Sequence, residues 1–275
     1  PLCARIVNSD QHSKDYSILA DKMRPGHADY AGHVRYQGFN DYRGGGHFSG
    51  RLTAPLVFAG AVAKQALAQY GIIVGSHILQ INDIKEERFN PMGVSDAELA
   101  ELHTKKFAVM DDAVGEKMQE RILQAKSELN SVGGVIEAIA LHLPAGIGAP
   151  YFDSVESMLS HALFSVPAVK GVEFGDGFGF ARLTGAEAND ALHYVDGKVK
   201  ALTNHNGGVT GGITNGMPFV VRVAIKPTPS IAREQQTVSL KEQADTTLAI
   251  VGRHDPCIVP VSYTHLRAHE TGRNL

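Results

Sequence analysis

Residues 23–52, MRPGHADYAGHVRYQGFNDYRGGGHFSGRL, run on without a sustained hydrophobic period and are dense in Gly, Asp, Asn, Tyr, His and Arg. That pattern reads as one long loop, and loops of this length inside compact domains are usually functional. The next segment is its opposite. In TAPLVFAGAVAKQALAQYG, residues 53–71, almost every side chain from Ala54 to Leu67 is apolar. Thr53 suits the N-cap, Pro55 the first turn and Gly71 the stop. A helix buried on most of its faces is expected there.

Further along, Met118, Ile122, Ala125 and Leu129 form one stripe of a helix expected over residues 113–130, with Gly133 and Gly134 stopping it. GVIEAIALHLP (134–144) reads as a strand and AGIGAP as a turn. A third helix is expected to start at Asp153, with Glu156 completing a capping box, and to bury Met158, Leu159, Ala162 and Leu163. VKGVEF (169–174) reads as a strand. In FVVRVAIKP (219–227), Phe219, Val221, Val223 and Ile225 alternate with Val220, Arg222, Ala224 and Lys226, the pattern of a half-buried strand. A last apolar run, TTLAIVG, ends in the turn RHDP. Helices and strands mix without a strict βαβ repeat, which favours an α+β architecture of helices packed on antiparallel sheets.

Composition narrows the function. A net charge of −3 leaves no global basic field for nucleic acid or an anionic membrane. Any anionic ligand must be held by a local cluster of cations. The two cysteines, Cys3 and Cys257, have no CxxC or zinc spacing, so a reducing cytoplasm is the default. No apolar run reaches transmembrane length, and PLCARIVNSDQHSKDY lacks the apolar centre of a signal peptide.

The residues that could carry chemistry fall in RPGHADY (24–30), DYRGGGHFSGR (41–51), NHNGGVTGG (204–212) with KPTPS (226–230), and GRHDPC (252–257). Arg43, Gly44, Gly45, Gly46, Ser49 and Arg51 stand just before the apolar helix, where unpaired N–H groups and the helix dipole favour an anion. Arg24, Arg51 and Arg253 offer always-charged, bidentate contacts to carboxylate and phosphate. These residues suggest a pocket for a polyanionic small molecule, with His27, His254 and Asp255 as acid–base candidates. A divalent metal on His27, Asp29, His47, His254 and Asp255 is a second reading, with no HExxH or ligand spacing behind it.

In combination these segments resemble chorismate synthase. NSDQHSKDYSILADKMRPGHADY is similar to that family's central segment, DYRGGGHFSGRLTAPLVFAGAVAKQAL to its second signature and GRHDPC to its third. The resemblance also takes in residues 144–178, NHNGGVTGGITNG and IKPTPSI, and so covers residues 1 to about 261. It implies a β-α-β sandwich of antiparallel sheets with central helices, a cytoplasmic homotetramer, and a lyase of the shikimate pathway of aromatic amino-acid synthesis. The implied reaction converts 5-enolpyruvylshikimate 3-phosphate to chorismate by 1,4-anti elimination of phosphate with reduced FMN. It leaves open whether the enzyme reduces its flavin with NADPH or draws on an external reductant.

The same resemblance implies that Arg24, Arg51 and Arg253 hold substrate anions. His27 would protonate or hydrogen-bond the reduced flavin, and Asp255 would stand beside flavin N5. FMN contacts would fall on His47, Phe48, Ser49, Pro167, Ala168, Gly211, Lys226, Pro227, Thr228, Pro229, Ser230 and Arg253. Many members have Arg-Ser-Ser-Ala-Arg-Glu-Thr where this chain has HFSGRLT, and Pro167 replaces a usual Asn, so only its backbone would serve. The family's N-terminal GESHG segment is not in this sequence, which starts without Met, and VSYTHLRAHETGRNL stands where a family helix would continue. The expectation is therefore a family domain over residues 1–261, incomplete at both ends, with a non-native or disordered tail over 262–275. The alternative is an inactive fragment that binds FMN or an anion.

Overall fold

The computed structural model describes residues 2–6, 18–250 and 255–260. Its helices are α1 (Asp29–Arg35), α2 (Ala54–Ala68), α3 (Asp96–Thr104), α4 (Asp112–Ser127), α5 (Val155–Phe164) and α6 (Gly185–Ala188). The first strands are β1 (Ile73–Ile81), β2 (Ile84–Lys85), β3 (Gly134–Leu141) and β4 (Val169–Phe174). Short strands follow: β5 (Leu192–Val195), β6 (Lys198–Ala201), β7 (Val209–Thr210) and β8 (Ile213–Thr214). The last are β9 (Phe219–Ile225), β10 (Gln235–Ser239) and β11 (Ala244–Leu248). One five-stranded sheet, in the order β2-β1-β3-β9-β4, is antiparallel throughout; β5-β6, β7-β8 and β10-β11 form two-stranded ribbons. The α+β expectation holds.

Both faces of the large sheet are covered. Ile78, Ile136, Val221 and Val223 pack with Met118 and Ala125 of α4 and Leu163 of α5. On the opposite face Ile139, Leu141 and Val220 meet Phe89 and Leu99 and Leu102 of α3. Full burial of a side chain such as Leu99 is worth about 1.5–3 kcal/mol. Leu99 comes this close because β1 carries Gly75 beneath it, where a Cβ would lie 2.5 Å from Leu99 Cδ2. A capping box starts α3: Ser95 Oγ accepts from the Glu98 amide at 3.2 Å, and the Glu98 carboxylate accepts from the Ser95 amide at 2.7 Å.

Covering both faces changes how β9 must be read. It is buried at nearly every position, Arg222 included, rather than on alternate ones. The sheet tolerates that arginine because it stands in a rung of charges across successive strands: His77 faces Glu137, Glu137 faces Arg222, and Arg222 faces Glu173. His77 Nε2 lies 3.1 Å from Glu137 Oε2, and its Nδ1 contacts Glu86. Arg222 donates from Nη1 to Glu137 at 3.2 Å, from Nε to Glu173 at 2.6 Å, and from Nη2 to the Gly175 carbonyl. The Phe89 amide closes Glu137 at 2.7 Å while its ring tilts over His77. Buried charges survive when each is paired and hydrogen-bonded in this way.

Other boundaries also move. The long loop is not uniformly irregular: it carries α1 and two 3-10 turns, Arg43–Phe48 and Gly50–Thr53. No side chain of α2 is buried by the described residues, and Leu56 and Val62 remain exposed, against the expectation of a buried helix. Thr53 does not cap α2 through its side chain; its hydroxyl donates back to the Gly50 carbonyl. Helix α4 ends before the glycines, with Leu129 taking the left-handed conformation at φ 57°. The Leu129 and Asn130 amides bond to the Lys126 and Ala125 carbonyls, a Schellman arrangement that recovers the helix-end acceptors without glycine. Ser154, not Asp153, caps α5 through Ser157, and Met158 and Ala162 face outward.

Candidate functional site

Antiparallel pairing brings distant segments to one end of the sheet. Val169 opens β4 opposite Ile225, which closes β9, so the turn before β4 lies beside the chain leaving β9. The Lys226 amide bonds to the Ala168 carbonyl at 2.9 Å. Gly134, opening β3, is also opposite Ile225. Just before it, Ser131 Oγ donates to the Thr228 carbonyl at 2.7 Å, and the Val132 amide holds the Pro256 carbonyl at 2.8 Å. Residues 24–30 close over this end: Arg24 Nη1 reaches Ser230 Oγ at 3.2 Å and Lys226 Nζ bonds to the Gly26 carbonyl. The 3-10 segment is seated by an aromatic contact, since Phe48 packs on Gly32 of α1, which has no Cβ to block the ring.

These segments enclose a cavity of about 670 Å³, within the usual range for small-molecule sites. Of the residues singled out in the sequence, His27, His47, Phe48, Ser49 and Arg51 line it. Pro167, Ala168, Lys226, Thr228, Pro229, Ser230 and Asp255 complete that set. Pro227 lines a smaller adjoining depression, and Gly211 lies in the β7-β8 turn away from both. Arg253 and His254 lie outside the described residues, as do residues 262–275. Sequence reading missed Thr53, Ser165, Val166 and Ile258. Their only signal was proximity to the motif residues.

Charge is distributed unevenly around the cavity. Arg51 is exposed, and its Nε donates to Ser49 Oγ at 2.9 Å. Arg24 does not line the cavity. Its guanidinium is buried against Asp29, with Nε to Oδ2 at 2.7 Å and Nη2 to Oδ1 at 2.8 Å. Asp29 also receives the Arg24 amide at 3.1 Å and lies 2.6 Å from His27 Nδ1. Burial by itself would raise the Asp29 carboxyl, but the bonds from Arg24 and His27 outweigh it and hold it far below the usual carboxylate range. Arg51, Lys226, His27 and His47 thus bring basic groups to the cavity, and Asp255 a carboxylate.

The residues present fit a phosphorylated aromatic cofactor. The Phe48 ring and the apolar atoms of Val166, Pro167 and Ile258 offer flat contact area, while Arg51 and Lys226 offer charge for a phosphate. Thr228 Oγ1 is buried in the wall with no partner among the described residues, so a donor or acceptor is left for a ligand to use. Among the described residues no group of three or more His, Cys, Asp or Glu could hold a metal ion, and no helix is long and apolar enough to cross a membrane.

Comparison with known proteins places the chain in a family. The model of chorismate synthase matches residues 1–269. A chorismate synthase of Pyrococcus abyssi is 45% identical over 260 residues, covering 94% of this chain and 71% of its own. One of Thermococcus kodakarensis is 46% identical over 260 residues with the same coverage, and one of Dehalococcoides mccartyi is 45% identical over 267 residues. A solved structure described as a crystal structure of chorismate synthase superposes with a TM-score of 0.65 at 33% identity, taking in 72% of this chain and 63% of that chain. The chain belongs to the chorismate synthase family of lyases.

Proposed function

We propose that this protein converts 5-enolpyruvylshikimate 3-phosphate to chorismate and phosphate by 1,4-anti elimination in the 670 Å³ cavity, with reduced FMN as cofactor. The observation that carries this reading is convergence: motif residues from His27 to Asp255, scattered along the chain, line one cavity. Arg51, Lys226 and His47 would bind the anionic groups of substrate and cofactor, and Arg51 would stabilise charge growing on the departing phosphate. Phe48, Pro167, Ala168, Thr228, Pro229 and Ser230 would seat the flavin. His27 would hold or deliver a proton at the cavity, and Asp255 would accept one. Reduced FMN, when bound, supplies electron density transiently to the breaking C–O bond and recovers it, so the reaction has no net redox change.

Arg253, outside the described residues, belongs to the same reading as a substrate and FMN contact. Arg24 and Gly211, which do not line the cavity, and Pro227, at its margin, are weaker members of the set. A cytoplasmic homotetramer is also part of the proposal, and exposed aromatics such as Tyr151 and Phe152 are the kind of surface that subunit contacts cover. Anaerobic incubation with reduced FMN and substrate should yield chorismate and phosphate in equal amounts. Phosphate without chorismate, or neither product, would overturn the assignment.

The contact between Phe48 and Gly32 gives a sharper test of the flavin site. In Gly32→Ala the new methyl would stand 2.5 Å from Phe48 Cε2, so the ring must move. Only the outer edge of one side chain has to yield, and overall stability should change little. The expected result is an FMN Kd weakened about tenfold (~1.4 kcal/mol) in a fluorescence titration. An unchanged Kd would remove Phe48 from the flavin site.

A further inference from the structure

The geometry points to Asp29 as a positioning residue that fixes His27 in the Nδ1–H tautomer, so that Nε2 alone exchanges protons with the cavity. This rests on the reading of His27 given above, and it gives Arg24 a different task from the substrate contact that the family resemblance implies.

Two roles compete for His27 Nδ1. It could accept from Arg24 Nη2, 3.1 Å away, or donate to Asp29 Oδ1, 2.6 Å away. The two are mutually exclusive, because one ring nitrogen cannot be both donor and acceptor. Arg24 cannot lose its proton, and the bonds it donates to both oxygens of Asp29 hold that carboxylate ionised against its burial, so the carboxylate can only accept. A bare Nδ1 lone pair at 2.6 Å from that oxygen would meet only repulsion. The shorter contact therefore carries a proton on Nδ1. Arg24 Nη2 has its own acceptor in Asp29 Oδ1 at 2.8 Å, and Nε takes Oδ2 at 2.7 Å. Arg24 thus clamps both oxygens of Asp29, and Asp29 clamps His27.

The consequence is directional. Nδ1 keeps its hydrogen in both the neutral and the protonated ring, and only Nε2 changes state. Side-chain exposure supports this: Asp29 and Arg24 are at 10% and 7%, while His27 is at 14% and lines the cavity. In Asp29→Asn the Arg24 donors should capture the amide oxygen and turn its NH₂ toward Nδ1. The ring would then have to accept at Nδ1 and carry its hydrogen on Nε2, presenting no acceptor to the cavity.

The test is 15N NMR of the His27 imidazole in the full protein, with flavin-dependent turnover measured in parallel. Wild type should show Nδ1–H in the neutral ring, and Asp29→Asn should show Nε2–H. The variant should lose roughly 10²-fold in kcat with KM within a few-fold. Asp29→Glu, which keeps the acceptor charge, should restore the Nδ1–H signature and part of the rate. Wild type carrying Nε2–H, or an Asp29→Asn protein with an unchanged tautomer, would overturn the inference while leaving the proposed reaction intact. The expected tautomers in a protein that makes no chorismate would do the reverse. Arg24→Lys supplies a second variant if Asp29→Asn fails to fold: a lysine cannot clamp both oxygens, so mixed tautomers are expected, and wild-type spectra would count against the clamp.

Discussion

Replacing Arg222 by methionine is expected to lower stability by about 3–5 kcal/mol, the cost of leaving a buried ion without its partner. Arg222 is 3% exposed and donates to Glu137, Glu173 and the Gly175 carbonyl. Without it Glu137, 1% exposed, keeps only His77 and the Phe89 amide. The readout is the urea midpoint at constant m-value. Adding Glu137→Gln should recover part of the loss, because removing both members of a buried pair is far milder than removing one. A loss below about 0.5 kcal/mol for the single variant would show that the rung contributes nothing.

The same rung couples stability to pH. Burial would raise Glu137, but His77, the Phe89 amide and Arg222 bring it below its ordinary value. Its contribution is therefore complete above the unfolded carboxylate value of about 4.3 and fades as pH falls through the folded value. For His77, burial would lower the imidazole, but Glu137 and Glu86 raise it. That contribution is complete below about 6.5 and fades as pH rises through the folded value. The urea midpoint should peak between these limits, and Glu137→Gln should flatten the acid side.

The second large effect falls on turnover. His27→Ala is expected to slow the flavin-dependent reaction by roughly 10²–10⁴-fold, the usual contribution of a positioned acid or base. Stability should hold, because Arg24 and Asp29 keep their paired bonds without the imidazole. FMN should still bind through the other walls of the cavity. Single-turnover kinetics under anaerobic conditions separate the chemical step from binding. A decrease of less than tenfold would make His27 a wall residue only.

Much of the scaffold could be read locally. The apolar stripe of α4 and the apolar runs of β3, β4 and β9 were legible as one helix and three strands, although burial along the strands does not alternate. Their ends were harder. Ser154 and Leu129 act where Asp153 and a glycine looked better, because a cap is chosen by where the backbone turns and several nearby residues can serve. The strand β1 and the helix α3 went unassigned, although Ser95 and Glu98 form a capping box.

The site divides in the same way. The residue types and their order along the chain determined, by themselves, that His27, Arg51, Lys226 and Asp255 belong to motifs carrying charge and glycine, because that chemistry is written in composition and spacing. Only the tertiary structure decided which of them share a cavity, since the pairing of Val169 and Gly134 with Ile225 is a matter of strand register. It also decided that Arg24 serves Asp29 and that Arg222 lies inside the sheet. Alternation in a strand tells one face from the other, but not whether a helix covers the second face. Here α3 covers it, and Arg222, on the second side of the alternation, becomes part of a buried rung of charges.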